Sequence, residues 1–165
     1  MADAPEKLAT PTDLASNATR SVADTLNQAL ADSYALYIKT KNFHWHVSGP
    51  HFRDYHLMLD DQATQILGTT DVIAERVRKT GNTTLRSIGD IARRQQIRDN
   101  DADFVSPTDM LSELRDDNLK LVEAFREVKE AAESAGDNAT SGIVDEWTDQ
   151  AEERAWFLFE ASRAG

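Results

Sequence analysis

At 165 residues, with 40% apolar and 28% charged side chains and few glycines or prolines, the chain is long enough for one domain with a real core. It has no cysteine, which excludes disulfides, thiolate metal sites and thiol nucleophiles. The formal charge of −11 repels nucleic-acid phosphates and anionic membranes and attracts cations.

Residues 1–11 are polar, carry Pro5 and Pro11 and show no apolar leader run; they are expected to be a flexible tail on a single domain spanning 12–165. No stretch approaches the apolar length that spans a membrane, so a cytoplasmic protein is expected. A first helix is predicted from about Thr12 to Trp45, with Val22, Leu26, Leu30 and Tyr37 inward at steps of four, four and seven. Ser48-Gly49-Pro50 breaks it. A second helix is predicted over 52–79, with Leu59, Ala63, Ile66, Thr70, Ile73 and Val77 at alternating steps of four and three, stopping at Gly81. The stretch 81–106 is too long for a hairpin loop and suits a crossover with a short helix over 88–96. Ser106-Pro107 pairs an N-cap residue with proline at the first helical position. The helix it opens runs to Gly136 on a stripe of Leu111, Leu114, Asn118, Leu121, Phe125, Val128 and Ala132. A last helix over 139–162 buries Val144, Trp147, Ala151, Ala155 and Leu158. Short connections make the first pair of helices antiparallel neighbours, and the last pair likewise. The sum is an all-α, ferritin-like four-helix bundle with one long crossover.

All four histidines lie in HWHVSGPHFRDYH, residues 44–56. On the second helix His56 and Asp60 are four apart, as are Asp71 and Glu75, and i, i+4 spacing stacks each pair on one face. The four lie on one flank of the apolar stripe. At about 1.5 Å per residue the two pairs sit about 22 Å apart, too far for one ion. Two copies of this helix packed antiparallel about a two-fold axis would bring the first pair of one chain to the second pair of the other. His44, at the end of the first helix, reaches the His56 end. The candidate ligands are therefore His44, His56 and Asp60 from one chain with Asp71 and Glu75 from its partner. Imidazole with carboxylate suits Fe(II), Mn(II) or Zn(II). The alternative is a salt-bridged helix surface, with Asp71 or Glu75 paired to Arg76, Arg78 or Lys79.

The stretch TKNFHWHVSGPHFRDYHLMLDDQATQILGTTDVIAERVRKTG resembles the signature of the Dps family, the miniferritins. HW is followed by glycine and an aromatic residue, then H-x-x-x-D, then D-x-x-A-E-R, with every family ligand position present at family spacing. The resemblance implies a hollow dodecamer with a ferroxidase centre at each two-fold interface. There Fe(II) is oxidised, preferably by hydrogen peroxide, and ferric mineral is stored inside, which protects DNA from both reagents. It assigns iron as the metal, with zinc a second candidate for the same ligands. It also places Trp45 beside the centre, either packed at the interface or intercepting oxidising equivalents. No histidine follows a glutamate by three residues, which disfavours a di-iron site inside the bundle.

Two features depart from the family pattern. His46 stands where many members have asparagine, and His51 precedes the second helix; both are expected to be bystanders, His46 as a helix-end cap or an added ligand. The sequence also has no basic terminal extension, so DNA binding is expected to be weak or absent. The alternative is a nucleoid-compacting protein that uses the seven basic residues between Arg76 and Arg98; helix-end cations with ion pairs are the other reading of that run. Asp137, Asp145, Glu146 and Asp149, near the start of the last helix, are candidates for an acidic entry pore; helix-start acids are the plainer reading.

Overall fold

The computed structural model describes residues 6–163. It contains α1 (Ser16–His46), α2 (Phe52–Lys79), α3 (Ile88–Arg94), α4 (Pro107–Ala135) and α5 (Asn138–Ser162), and no strand among the described residues. Of the expected flexible tail, residues 1–5 lie outside the described ones. Glu6–Leu8 form one 3-10 turn, and Arg78 Nη2 donates to Leu8 O (2.6 Å) and Thr10 Oγ1 (3.2 Å).

The boundaries have local causes. Ser106 Oγ accepts from Asp109 N, and Pro107 opens α4 where a missing N–H costs nothing. Gly136 ends it with φ of 70°, a conformation that penalises any Cβ. Gly49, at φ 104°, turns the chain between α1 and α2. The short helix α3 stops at Arg94 rather than 96, because Asp32 of α1 takes the backbone N–H groups of Gln96 (2.6 Å) and Ile97 (3.1 Å) out of the helical ladder.

The helices pack α1 on α2, α1 on α4 and α4 on α5, with slighter contact between α2 and α5. Cross-links give the directions. The end of α1 meets the start of α2 through His44 and His56, whereas Asn82, just past the end of α2, donates to Thr19 O near the start of α1. Lys39, late in α1, reaches Glu113 and Asp117, early in α4. So α1 is antiparallel to both neighbours, and α2 and α4 are parallel. That topology requires the crossover to travel the length of the bundle. A polar row on α1 carries it: Asn27 donates to Thr83 O, Gln28 to Arg94 O and Asn42 to Asn100 O, with Asp32 between them.

The predicted stripes of α2, α4 and α5 are all buried. On α1 one position differs. Tyr37 is only partly buried beside the crossover, and Leu36 and Phe43 fill the core, because the two steps of four from Val22 to Leu30 overrun two helical turns by nearly one residue.

Candidate metal half-site

His44 and His56 lie on opposite sides of the helix break and are tied to each other. His44 Nδ1 is 2.7 Å from His56 O, and His56 Nδ1 is 2.9 Å from His44 O. A carbonyl oxygen only accepts, so both rings carry a proton on Nδ1 and donate it. In the neutral ring that leaves the lone pair on Nε2, the arrangement that metal-binding histidines use: one nitrogen for the ion, the other anchored to a carbonyl. The rings stack at 3.8 Å between centroids and 21° between planes, with Phe52 a further 5.1 Å from His56. Lone pairs held in such nearly parallel planes do not converge. One ion about 2 Å from each nitrogen cannot lie in both ring planes, so as stacked the pair could hold two adjacent ions, or one ion beside a spectator, but not one shared ion.

Asp60 follows one turn after His56. Its Oδ1 is 3.9 Å from His44 Nε2, a span one ion can bridge with bonds of about 2.1 Å at a wide angle. The same oxygen accepts from Lys41 Nζ at 2.7 Å. That hydrogen bond, against a counter-effect of desolvation and with the further charge of Lys41 and the imidazoles, holds the Asp60 carboxyl below its ordinary range.

Asp71 and Glu75 stand exposed at the other end of α2, and Glu75 pairs with Lys79 at 3.1 Å. One unbroken helix joins the two pairs, so the separation of about 22 Å stands. Among the described residues of one chain, no three His, Asp or Glu side chains gather as a metal cage. The five sequence candidates are thus split into a trio and a distant pair. Midway between them the same flank carries Leu67, exposed, and Gly68, where an added Cβ would meet nothing within 4 Å.

Trp45 is 60% exposed, with Lys41 Nζ 5.7 Å from its ring centroid. His46 is exposed and donates Nδ1–H to Asn42 O (2.8 Å) in the last turn of α1. His51 is exposed, makes no capping bond and tilts against Tyr55 at 5.6 Å.

The bundle interior buries a guanidinium with no carboxylate hydrogen-bonded to it among the described residues. Arg154 of α5, 4% exposed, donates Nε to Asn118 Oδ1 and Nη1 to Gln65 Oε1, both at 2.7 Å. Burial pushes its pKa down to about 10, partly offset by Glu153. A guanidinium there repels a metal ion, in agreement with the lack of any internal glutamate–histidine pair. Sequence reasoning passed over Arg154 and Lys41. Both had a signal: Arg154 lies three residues after Ala151, inside the apolar stripe, and Lys41 lies three before His44, on the same helical face.

The pore candidates divide as well. Asp137 is 3% exposed and caps α5, accepting from Thr140 N (3.0 Å), Thr140 Oγ1 and Arg76 Nη2 (2.8 Å). Desolvation pushes its carboxyl up, but these bonds outweigh it and the net shift is downward. A buried capping carboxylate cannot line an entry path. Asp145, Glu146 and Asp149 are exposed, and Asp145 pairs with Lys129 at 2.8 Å. The basic run from Arg76 is largely committed inside the chain: Arg76 to Asp137, Arg78 to backbone carbonyls, Lys79 to Glu75, and Arg93 and Arg94 to Asp90.

A family model described as a ferritin-like domain matches residues 23–161. A DNA protection during starvation protein from Agrobacterium fabrum is 32% identical over 149 residues, covering 90% of this chain and 92% of its own. One from Halobacterium salinarum is 35% identical over 126 residues, covering 74% and 68%. A crystal structure of an archaeal Dps homologue from Halobacterium salinarum superposes with a TM-score of 0.90 at 28% identity, covering 99% of this chain and 93% of that one.

Proposed function

The chain belongs to the Dps family of ferritin-like proteins, and from that premise we propose that it stores and detoxifies iron as a ferroxidase completed between subunits. Fe(II) is its substrate, hydrogen peroxide its preferred oxidant, and the ferric product is kept inside a cage of twelve chains. The observation that carries this reading is the anchored trio: two imidazoles with Nδ1 fixed on carbonyls and Nε2 free, beside Asp60 Oδ1. The trio holds a single carboxylate, Asp60, and α2 offers the two more that would stabilise Fe(III), exposed, at its far end. Two copies of α2 crossing antiparallel near residue 66 bring Asp71 and Glu75 of each chain to the trio of the other. Exposed Leu67 supplies an apolar contact at that crossing, and Gly68 permits close approach.

With two irons side by side, each gives one electron. Peroxide takes both, its O–O bond breaks and two protons complete two waters. The one-electron route to hydroxyl radical is bypassed. Trp45, exposed one residue after His44, would pack at the interface or take a stray oxidising equivalent. Zinc fits the same ligand types and would act as a competitor. DNA binding is weak or absent: a shell of such chains multiplies a charge of −11, and most of the basic run is engaged within the chain.

The test is ferric absorbance after anaerobic Fe(II) meets peroxide. Wild type should turn over, while His44→Ala with His56→Ala, or Asp71→Asn with Glu75→Gln, should lose about a hundredfold. Mixing these two double variants should restore active sites, since each supplies what the other lacks. Activity of either double variant equal to wild type sinks the site. Gly68→Arg should leave folded subunits that do not pair and do not turn over.

A further inference from the structure

Lys41 lies one turn before His44 on α1, and its ammonium reaches across to α2, where Nζ sits 2.7 Å from Asp60 Oδ1. That oxygen is the one nearest His44 Nε2, at 3.9 Å. The carboxylate oxygen a metal would share with the imidazole therefore already holds a cation. The pair is asymmetric: the Lys41 side chain is 17% exposed and that of Asp60 48%, so the ammonium is the more enclosed partner. A second resting place lies close by, the Trp45 ring, whose centroid is 5.7 Å from Nζ.

We propose that Lys41 is the resident cation of the half-site, which an incoming divalent ion must displace from Asp60, so that metal capture by a chain without its partner is suppressed. This rests on the metal-site reading above. The charge balance supports it. Alone, the trio brings one negative charge, the Asp60 carboxylate, and Lys41 already balances it, which leaves a divalent ion little net attraction. Asp71 and Glu75 of the neighbouring chain add two negative charges, held back only by the exposed Lys79–Glu75 pair, a weak type of contact. The ion then outcompetes the ammonium, which moves to the indole face. Lys41 thereby makes occupancy depend on assembly.

The experiment is a Zn(II) titration against a chromophoric chelator, on assembled protein and on unpaired Gly68→Arg subunits, for wild type, Lys41→Met, Lys41→Arg, Asp60→Asn and the Lys41→Met/Asp60→Asn double variant. Lys41→Met should bind zinc about fivefold more tightly, the range of a half-exposed ion pair. Lys41→Arg should stay within about twofold of wild type. In the Asp60→Asn background the Lys41→Met gain should vanish, because a double-mutant cycle isolates the contact from the general field. No gain on removing Lys41, or an equal gain with Asp60 already removed, overturns the proposal. Zinc binding that ignores His44→Ala with His56→Ala would instead overturn the site assignment and leave the Lys41 step without a basis.

Discussion

Asp137 separates two accounts of the start of α5, because a pore carboxylate and a buried cap respond differently to substitution. Asp137→Ala removes an N-cap acceptor, worth about 1 kcal/mol. It also removes the buried partner of Arg76, where a charged hydrogen bond contributes about 1.5–3 kcal/mol. Arg76 is 17% exposed and regains some water, so the sum is about 3 kcal/mol, a fall in Tm of about 6–12 °C for a domain of this size. Asp137→Asn keeps an acceptor at the cap and loses the charge, so about half that fall is expected. The assay is thermal denaturation at fixed protein concentration, since assembly contributes to Tm. It is paired with Fe(II) uptake well below the transition, where Asp137→Asn should stay within about twofold of wild type. The pH dependence follows from the depressed carboxyl. A group whose folded pKa lies below its unfolded value stabilises fully above the ordinary carboxylate range, about pH 4, and loses that effect as pH falls through the folded value. The gap between wild type and Asp137→Asn should therefore be wide at neutrality and close in acid. A Tm shift under about 2 °C combined with slowed iron uptake would refute the buried-cap account and return Asp137 to the pore.

Asp32→Ala should cost about 3 kcal/mol by stranding the N–H groups of Gln96 and Ile97, and amide exchange should accelerate there before it does elsewhere in the crossover; unchanged exchange at both amides would show that Asp32 does not hold the segment. In gel-shift assays at about 0.15 M salt the protein should leave duplex DNA unshifted; a clear shift that disappears on neutralising Arg86, Arg93 and Arg98 would reinstate the DNA-compacting alternative.

Helix existence was legible because α2, α4 and α5 keep strict apolar steps, and because Ser106-Pro107 and Gly136 are strong boundary signals. The crossover's helix was legible too, but not its end, which Asp32 decides from 64 residues away in sequence. Local periodicity carries no information about such a contact. The candidate ligands were legible as spacing on α2, whereas their electrostatic setting was not. Lys41 and Arg154 read as ordinary charges until packing placed one on Asp60 and the other among Asn118 and Gln65. Asp137 stayed open for the converse reason: an acid at a helix start is the right residue for either a pore or a cap, and only burial by Arg76 and Thr140 distinguishes them.

The guanidinium of Arg154 also constrains the paths by which this fold can change. Relocating metal chemistry to the bundle interior would require removing that cation and introducing several carboxylates on facing helices. Once that cation is gone, each carboxylate introduced would be buried without a counter-ion until metal arrives, at a cost of several kcal/mol against a total stability of about 5–15 kcal/mol. Internal and interfacial designs are therefore separated by a valley of poorly folded sequences. With arginine at position 154 the interior is closed to such chemistry, and under the interfacial reading proposed above any change of metal preference would be made jointly by two copies of the same gene product.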